Sequence, residues 1–256
     1  MRLNFKTVLY NFGFFICLLK GVKTFIHRGQ AAYRVLTMQI LFTFVEALGI
    51  ACLLALGIGA AVTIIGIPTL TSISQERLLY TLLITIITRE LGPLLIAFII
   101  IARSATAIAT EMAGMVISHE VEAYISIGVD PIEYLAVPRF LGVTISVFML
   151  NIYFNIFGLA GSYAVSQLFT PLPASVYFGY LLESLTLQDI LISIIKSIGF
   201  GMIISMVAIM QGLAVERART EVPVAGLKSV SSAFGWCIFL GIFLSAVYYI
   251  LEGFKL

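Results

Sequence analysis

The feature that most limits the fold is an apolar run at residues 37–67, where Glu46 is the only charged side chain. Its 31 residues exceed the roughly 20 that an α-helix needs to cross the hydrocarbon core of a bilayer. Four further runs follow, at 78–115, 140–169, 187–215 and 227–251. Only 11% of the chain is charged, whereas soluble domains carry about 25%. The sequence therefore predicts an all-α membrane protein with five transmembrane helices.

Residues 1–30 differ from the rest of the chain, because they mix aromatic and aliphatic side chains with Lys and Arg. Their apolar stretch, at 8–19, is too short to span a bilayer. A helix with basic side chains next to such a stretch is typical of the membrane interface, where the cations meet anionic headgroups. We expect an N-terminal interfacial amphipathic helix at 1–30, followed by a membrane domain at 31–256.

The basic residues indicate an orientation. Eleven of the 15 Lys and Arg residues are assigned to the N-terminal side of the membrane, and the connection at 170–186 has none. These eleven are Arg2, Lys6, Lys20, Lys23, Arg28, Arg34, Arg103, Arg139, Arg217, Arg219 and Lys228. Lys and Arg accumulate in cytoplasmic loops. The N-terminus is therefore expected in the cytoplasm and, after five spans, the C-terminus outside.

Some residues within the spans have a predicted structural role. Pro93 lacks a backbone donor, so a kink is expected just before it. Gly49, Gly57 and Gly59 in the first span would allow a neighbouring helix to approach closely.

Charged residues within the spans are candidates for function, because each costs about 3 kcal/mol at the bilayer centre unless it is paired or hydrated. Four stand out: Glu46, Arg89, Glu90 and Lys196. At 1.5 Å per residue, Arg89 and Lys196 lie about 16 and 14 Å into their helices. Two cations at one depth suit the phosphate of an anionic headgroup.

Structural ion pairing is the alternative, with Arg89 bound to Glu90 or Glu46 and Lys196 bound to another acid. Neighbouring residues on an α-helix point in different directions, so the geometry of an Arg89–Glu90 ion pair is expected to be unfavourable.

The polar segment 116–138 is predicted to form a short helix of its own. Ser118 precedes two acids near the helix start, Glu120 and Glu122. Gly128 is expected to follow as the C-cap, and Asp130-Pro131 would begin a second turn.

Three motifs together resemble the MlaE-type permease family, the membrane subunit of ABC transporters that move phospholipids together with MCE-domain proteins. They are RELGP at 89–93, the small-residue run with Glu111 and Met112, and GVDPIEYLAVPR at 128–139. The resemblance extends from about Thr37 to the C-terminus. It implies a homodimer in a cell inner membrane with a lipid cavity at the dimer interface, where the RELGP region lies. The substrate-binding residues would be Glu46, Arg89, Glu90, Leu91 and Lys196.

The resemblance also implies partners. These are a cytoplasmic ABC ATPase, an MCE-domain protein on the outer face and, optionally, a STAS-domain regulator. EVEAYISIG followed by Pro138 is similar to the coupling loop of ABC importers, which fits a groove on the ATPase. The coupling residues would be Glu120, Glu122, Ala123, Gly128, Asp130 and Pro131.

No enzymatic function is expected from the sequence. It has no GxxxxGK[ST] phosphate loop, so ATP hydrolysis would need a separate subunit. His27 and His119 are isolated, and the three cysteines lie singly in apolar runs, so no metal, cofactor or nucleic acid is expected.

Two other classes of function stay open. A secondary transporter could use the four charged residues as an ion relay, although such proteins show inverted repeats and we find none. A structural scaffold would have no need for cations at mid-membrane depth.

Overall fold

The computed structural model describes residues 5–26, 29–71, 77–169, 172–216 and 218–253, and all regular structure within them is helical. The α-helices are α1 Phe5–Ile26, α2 Gly29–Thr71, α3 Arg77–Leu83, α4 Gly92–Ile100, α5 Thr106–Ile117, α6 Glu120–Ser126, α7 Val137–Phe169, α8 Ala174–Ser184, α9 Leu187–Leu213 and α10 Glu221–Gly253. Three π-helical segments join them, at Ile84–Leu91, Ile101–Ala105 and Ile132–Ala136.

Within the part of the chain that the structure describes, five helical stretches are long and apolar enough to cross a membrane, which confirms the predicted class and number of spans. They are Tyr33–Leu70, Leu78–Ile117, Ile132–Phe169, Leu187–Leu213 and Glu221–Leu251. The third and fifth begin earlier than predicted, because residues 132–139 and 221–226 are polar in part but are still helical.

The second span is irregular where Pro93 predicts a kink. The π-helical segment Ile84–Leu91 ends just before this proline, and the Gly92 N–H donates to the carbonyl of Ile87, five residues back. π-Helical turns are rare in proteins, and many of those that occur lie at functional sites. This one carries Arg89 and Glu90.

The first span packs along α7 through direct backbone contact. A Cβ atom at Gly59 would overlap the carbonyl group of Gly158 in α7. At Gly49 and Gly57, nothing lies within 4 Å of the Cβ position. Of the three glycines predicted to permit close packing, only Gly59 therefore meets a neighbouring helix.

Replacing Gly59 by Ala is expected to destabilise the protein by about 1–3 kcal/mol, because two backbones would have to separate. Gly57→Ala is the matched control, since it adds the same methyl group to open space in the same helix. Thermal unfolding in detergent measures both variants. Equal melting temperatures would show that the α2–α7 contact can relax at no cost.

The N-terminal helix α1 is longer than its apolar stretch, with 22 residues. Leu18 and Phe25 are buried, and a Cβ atom at Gly21 would lie 2.8 Å from a methyl group of Val137. One face of α1 therefore packs on the beginning of α7. The placement of 1–30 at a membrane interface stays a prediction, and residues 1–4 and 27–28 lie outside the described residues.

Candidate functional site

Lys196 of α9 is bound at the level of the π-helical segment in the second span. Its ammonium group donates to Glu90 Oε2 at 2.8 Å, to Ser245 Oγ at 2.8 Å and to the Arg89 carbonyl oxygen at 3.0 Å. Ser245 Oγ also donates to Glu90 Oε2, at 2.9 Å. The side chain of Lys196 is only 2% exposed, so all three of its N–H donors are used within the protein.

Arg89 is bound nearer the beginning of α9. Its Nη1 lies 3.4 Å from Asp189 Oδ1, and its Nη2 donates to the Tyr249 hydroxyl at 2.5 Å. The guanidinium carbon lies 4.7 and 4.8 Å from the ring centres of Tyr248 and Tyr249. This arrangement combines an ion pair with cation–π contacts.

Both cations have partner acids, as the alternative of structural ion pairing predicts. Lys196 pairs with Glu90, and Arg89 pairs with Asp189. The Arg89–Glu90 contact that α-helical geometry disfavours is also present, with Nε and Oε1 3.7 Å apart. The wider turn of the π-helix changes the angle between neighbouring side chains. Structural ion pairs are therefore part of this site.

The backbone of Arg89 lies close to Lys196, as their predicted equal depth requires, but the Arg89 side chain extends to a different partner. Lys196 contacts the main chain of Arg89, whereas the guanidinium group lies beside Asp189. Asp189 is seven residues before Lys196 in α9, or about 10 Å along the helix. The two cations therefore share Glu90, while the guanidinium group also extends to Asp189 near the start of α9.

Asp189 is a residue of this site that the sequence patterns did not indicate, because its position in the sequence is explained by a local role. It forms a capping box with Thr186 at the start of α9, in which each side chain binds the other's backbone N–H. Its Oδ2 binds Thr186, while Oδ1 accepts from Tyr248 at 3.3 Å and faces Arg89. The T-x-x-D pattern before an apolar run identifies the cap but gives no sign of the second role.

A cavity of about 450 Å³ opens beside Lys196. Its lining is Glu90, Leu94, Lys196, Phe200, Ile238, Gly241, Ile242, Ser245 and Ala246. The three polar side chains lie together and the rest of the wall is apolar. Glu90 Oε1 and Arg89 Nε are buried next to this polar end, and neither has a hydrogen-bond partner among the described residues. Arg89 and Leu91 are not part of the lining.

The structure places Glu46 apart from Lys196. Glu46 forms an ion pair with Arg103 and lines a different cavity, of about 300 Å³, together with Glu111. Arg103 lies within the second span, 14 residues before Ile117, although the charge count assigned it to the N-terminal side of the membrane.

The segment between the second and third spans forms a short exposed helix, as predicted. Helix α6 has no buried residue. Gly128 has φ +77° and its N–H donates to Ile125, while Val129 N–H donates to Tyr124. Glycine favours this left-handed conformation, which ends the helix. Two large apolar side chains, Ile125 and Ile127, are exposed here.

The beginning of α6 differs from the prediction by one residue. His119 is the N-cap, with a left-handed φ of 61°, and its Nδ1 lies 2.7 Å from Glu122 Oε2. Ser118 instead contacts the end of α5 through Gly114 and donates to Glu120 at 2.9 Å. Asp130 Oδ1 accepts from the Ile132 N–H at 2.8 Å, which starts the following turn.

Comparison with known proteins gives consistent matches. Residues 36–247 match the family described as Permease MlaE. A probable ABC transporter permease protein of Rickettsia typhi is 28% identical over 174 residues, 68% of this chain and 67% of its own length. The chloroplastic protein TRIGALACTOSYLDIACYLGLYCEROL 1 of Arabidopsis thaliana is 27% identical over 186 residues, 73% of this chain and 53% of its own length.

Proposed function

The chain belongs to the MlaE permease family, and from this premise we propose that it is the membrane subunit of an ATP-driven phospholipid transporter. It would bind a lipid in the cavity beside Lys196 and take its energy from a separate ABC ATPase. The family and the five spans together show a multi-pass membrane permease.

The cavity beside Lys196 is the observation that carries the proposal. Its volume of about 450 Å³ lies in the range of ligand sites, roughly 300–1,000 Å³. A polar end built from Lys196, Glu90 and Ser245 next to an apolar wall suits an amphiphile. A lipid phosphate would take charge-assisted hydrogen bonds from the Lys196 ammonium group in exchange for Glu90, while the acyl chains would contact the apolar wall.

A second copy of the chain would complete this cavity. Its wall includes Ile238 and Ile242 of α10, and neighbouring side chains of the same helix, Phe239 and Phe243, are exposed. We propose that α10 faces its counterpart in a homodimer, so that two copies enclose one lipid path.

Helix α6 would transmit the ATPase cycle to the spans. Five of its seven residues are exposed, and Val121 and Tyr124 pack partly against the core, so a docked subunit can contact the outer face of this helix. The remaining partners, an MCE-domain protein on the outer face and an optional STAS-domain regulator, are proposed on the family resemblance. The membrane would be a cell inner membrane.

Reconstitution tests this function directly. The chain, purified in mild detergent with the proteins that accompany it, is placed in vesicles and lipid transfer is measured with and without ATP. Transfer that requires ATP and a co-purified ATPase supports the proposal. Transfer that follows a proton gradient without ATP would favour the secondary transporter.

The orientation can be tested separately by thiol labelling in intact cells. In a chain without Cys17, Cys52 and Cys237, a cysteine at the exposed position Ser175, before α9, should react with an impermeant reagent added outside. One at the exposed position Thr220, after α9, should stay protected until the membrane is opened. Protection at Ser175 would overturn a cytoplasmic N-terminus. Arg2, Arg28, Arg217 and Lys255, which enter the charge count, lie outside the described residues.

A further inference from the structure

A second cavity, separate from the one beside Lys196, forms a groove between α2 and the second span. Its volume is about 300 Å³. Its lining comes from one face of α2 and from one face of the second span. These residues are Gln39, Phe42, Thr43, Glu46, Arg103, Ser104, Ala107, Ile108 and Glu111. Six of the nine have polar or charged side chains, which is unusual between two membrane helices.

The polar lining extends from the membrane surface toward its middle. Gln39 and Glu111 each lie six residues from the N-terminal-side end of their spans, Tyr33–Leu70 and Leu78–Ile117, or about 9 Å along the helix. Glu46 and Arg103 lie 13 and 14 residues from the same ends, or about 20 Å. The groove therefore begins near headgroup depth and ends within the hydrocarbon core.

The charged groups of the groove are accessible from outside the chain. The side chains of Glu46 and Glu111 are each 49% exposed, and that of Arg103 is 36% exposed. Glu46 binds Arg103, and Glu111 Oε1 accepts from Arg139 Nη2 at 2.7 Å. Ion pairs that face acyl chains are unfavourable, so these groups require a polar occupant. The occupant must satisfy both signs of charge.

We propose that this groove holds the headgroup of a phospholipid with a primary ammonium group, drawn from the leaflet on the N-terminal side. The phosphate would bind the Arg103 guanidinium group, and the ammonium would donate to Glu46 and Glu111. The acyl chains would stay in the bilayer beside α2, where Leu41, Phe42 and Val45 are exposed.

The charge pattern favours a lipid over a second copy of the chain. Each half-exposed carboxylate already has one cation partner in its own chain, so the groove has acceptors and donors at nearly zero net charge. A zwitterionic headgroup matches this balance in a single molecule. The inference shares only the membrane placement with the proposed transport function, and it does not depend on the cavity beside Lys196.

Native mass spectrometry of the full chain in detergent tests the ligand chemistry. The probes are phosphatidylethanolamine, phosphatidylcholine and phosphatidylglycerol with identical acyl chains. The first has three N–H donors on its ammonium, while the second has none and the third has no cation. We expect phosphatidylethanolamine to be retained about tenfold more than either, because only its ammonium group can donate charge-assisted hydrogen bonds to Glu46 and Glu111. Equal retention of the three lipids would overturn the proposal.

Two variants locate the effect. Glu46→Gln should reduce the preference for phosphatidylethanolamine to about twofold or less, and Arg103→Gln should weaken the binding of all three lipids. Glu183→Gln, an exposed acid on α8, is the matched control and should change neither. If Arg103→Gln is not extracted as a folded protein, the three-lipid comparison on the unaltered chain still decides.

The outcomes also distinguish lipid binding in this groove from lipid binding in the cavity beside Lys196. A loss of total bound lipid in the neutral pair Lys196→Gln with Glu90→Gln, with an unchanged lipid preference, would support both sites as independent. A preference that disappears in this neutral pair but persists in Glu46→Gln would overturn the groove and leave the proposed function intact. A change in oligomeric state on Arg103→Gln, with the lipid preference unchanged, would show that the groove is a protein interface and would also overturn the proposal.

Discussion

Replacing Arg89 and Lys196 together by Gln is expected to remove phospholipid from the purified protein, with at least a tenfold loss that quantitative lipid extraction measures. Lys196 lines the polar end of the cavity of about 450 Å³, and Arg89 Nε is buried beside it. A phosphate bound there would lose its charge-assisted donors in this variant. ATP-dependent lipid transfer should fall in proportion. The protein should still insert, because the five spans do not depend on these side chains for hydrophobicity.

The ion pairs make a second variant necessary. Removing one partner of a buried pair leaves an uncompensated charge and is destabilising by about 3–5 kcal/mol, so Lys196→Gln alone would confuse misfolding with lost binding. The neutral pair Lys196→Gln with Glu90→Gln avoids this problem and keeps polar groups of similar size. It should remain stable and still lose lipid.

Lys228→Gln is the matched control for loss of a cation, since Lys228 is exposed on α10. It should keep its lipid. Full lipid content and unchanged transfer in the neutral pair would show that Glu90 and Lys196 only hold α9 and α10 against the second span.

Reversing Glu122 and Asp130 to Lys is expected to uncouple the ATPase. Glu122 lies in α6 and Asp130 lies four residues after its end, and both side chains are exposed. The fold should therefore tolerate the change while a docked subunit meets two reversed charges. ATP hydrolysis should then persist or the ATPase should be released, while lipid transfer falls at least about tenfold. Co-purification and transfer assays measure the two effects.

Asp130→Asn separates docking from local structure. Asp130 Oδ1 accepts from the Ile132 N–H at 2.8 Å, and Asn keeps this acceptor while removing the charge. A large loss in Asp130→Asn alone would assign the effect to that charge and not to a lost cap. Cross-links from the ATPase to 216–226 alone, with none to 116–138, would contradict the coupling role of α6.

Local patterns predicted the short helix well because its signals act within a few residues. Gly128 ends α6 with the left-handed φ expected of a glycine C-cap. The start was wrong by one residue, because Ser118 binds back to Gly114 and leaves His119 as the N-cap. A hydroxyl side chain can bind either the helix before it or the helix after it, and the sequence alone does not distinguish the two.

Long-range pairing was less predictable. Sequence spacing placed the Arg89 backbone near Lys196, and the structure shows contact between the Lys196 ammonium group and the Arg89 carbonyl. Sequence spacing did not indicate that the Arg89 side chain would turn toward Asp189, or that Glu46 would pair with Arg103 in another cavity. The partner of a charged side chain depends on helix rotation and on the wider π-helical turn, neither of which is encoded in spacing along one helix.

The sequence by itself determined that this chain crosses a membrane five times, because apolar length and low charge leave no soluble alternative. It also indicated four charged residues within the spans, Glu46, Arg89, Glu90 and Lys196, but it did not single out Arg103. Only the tertiary structure decided how those charges are distributed between two cavities, since α2, the second span, α9 and α10 must pack before any side chain has a neighbour. The physical reason is that burial in lipid is a property of each segment, whereas a binding site is a property of the faces that several segments share.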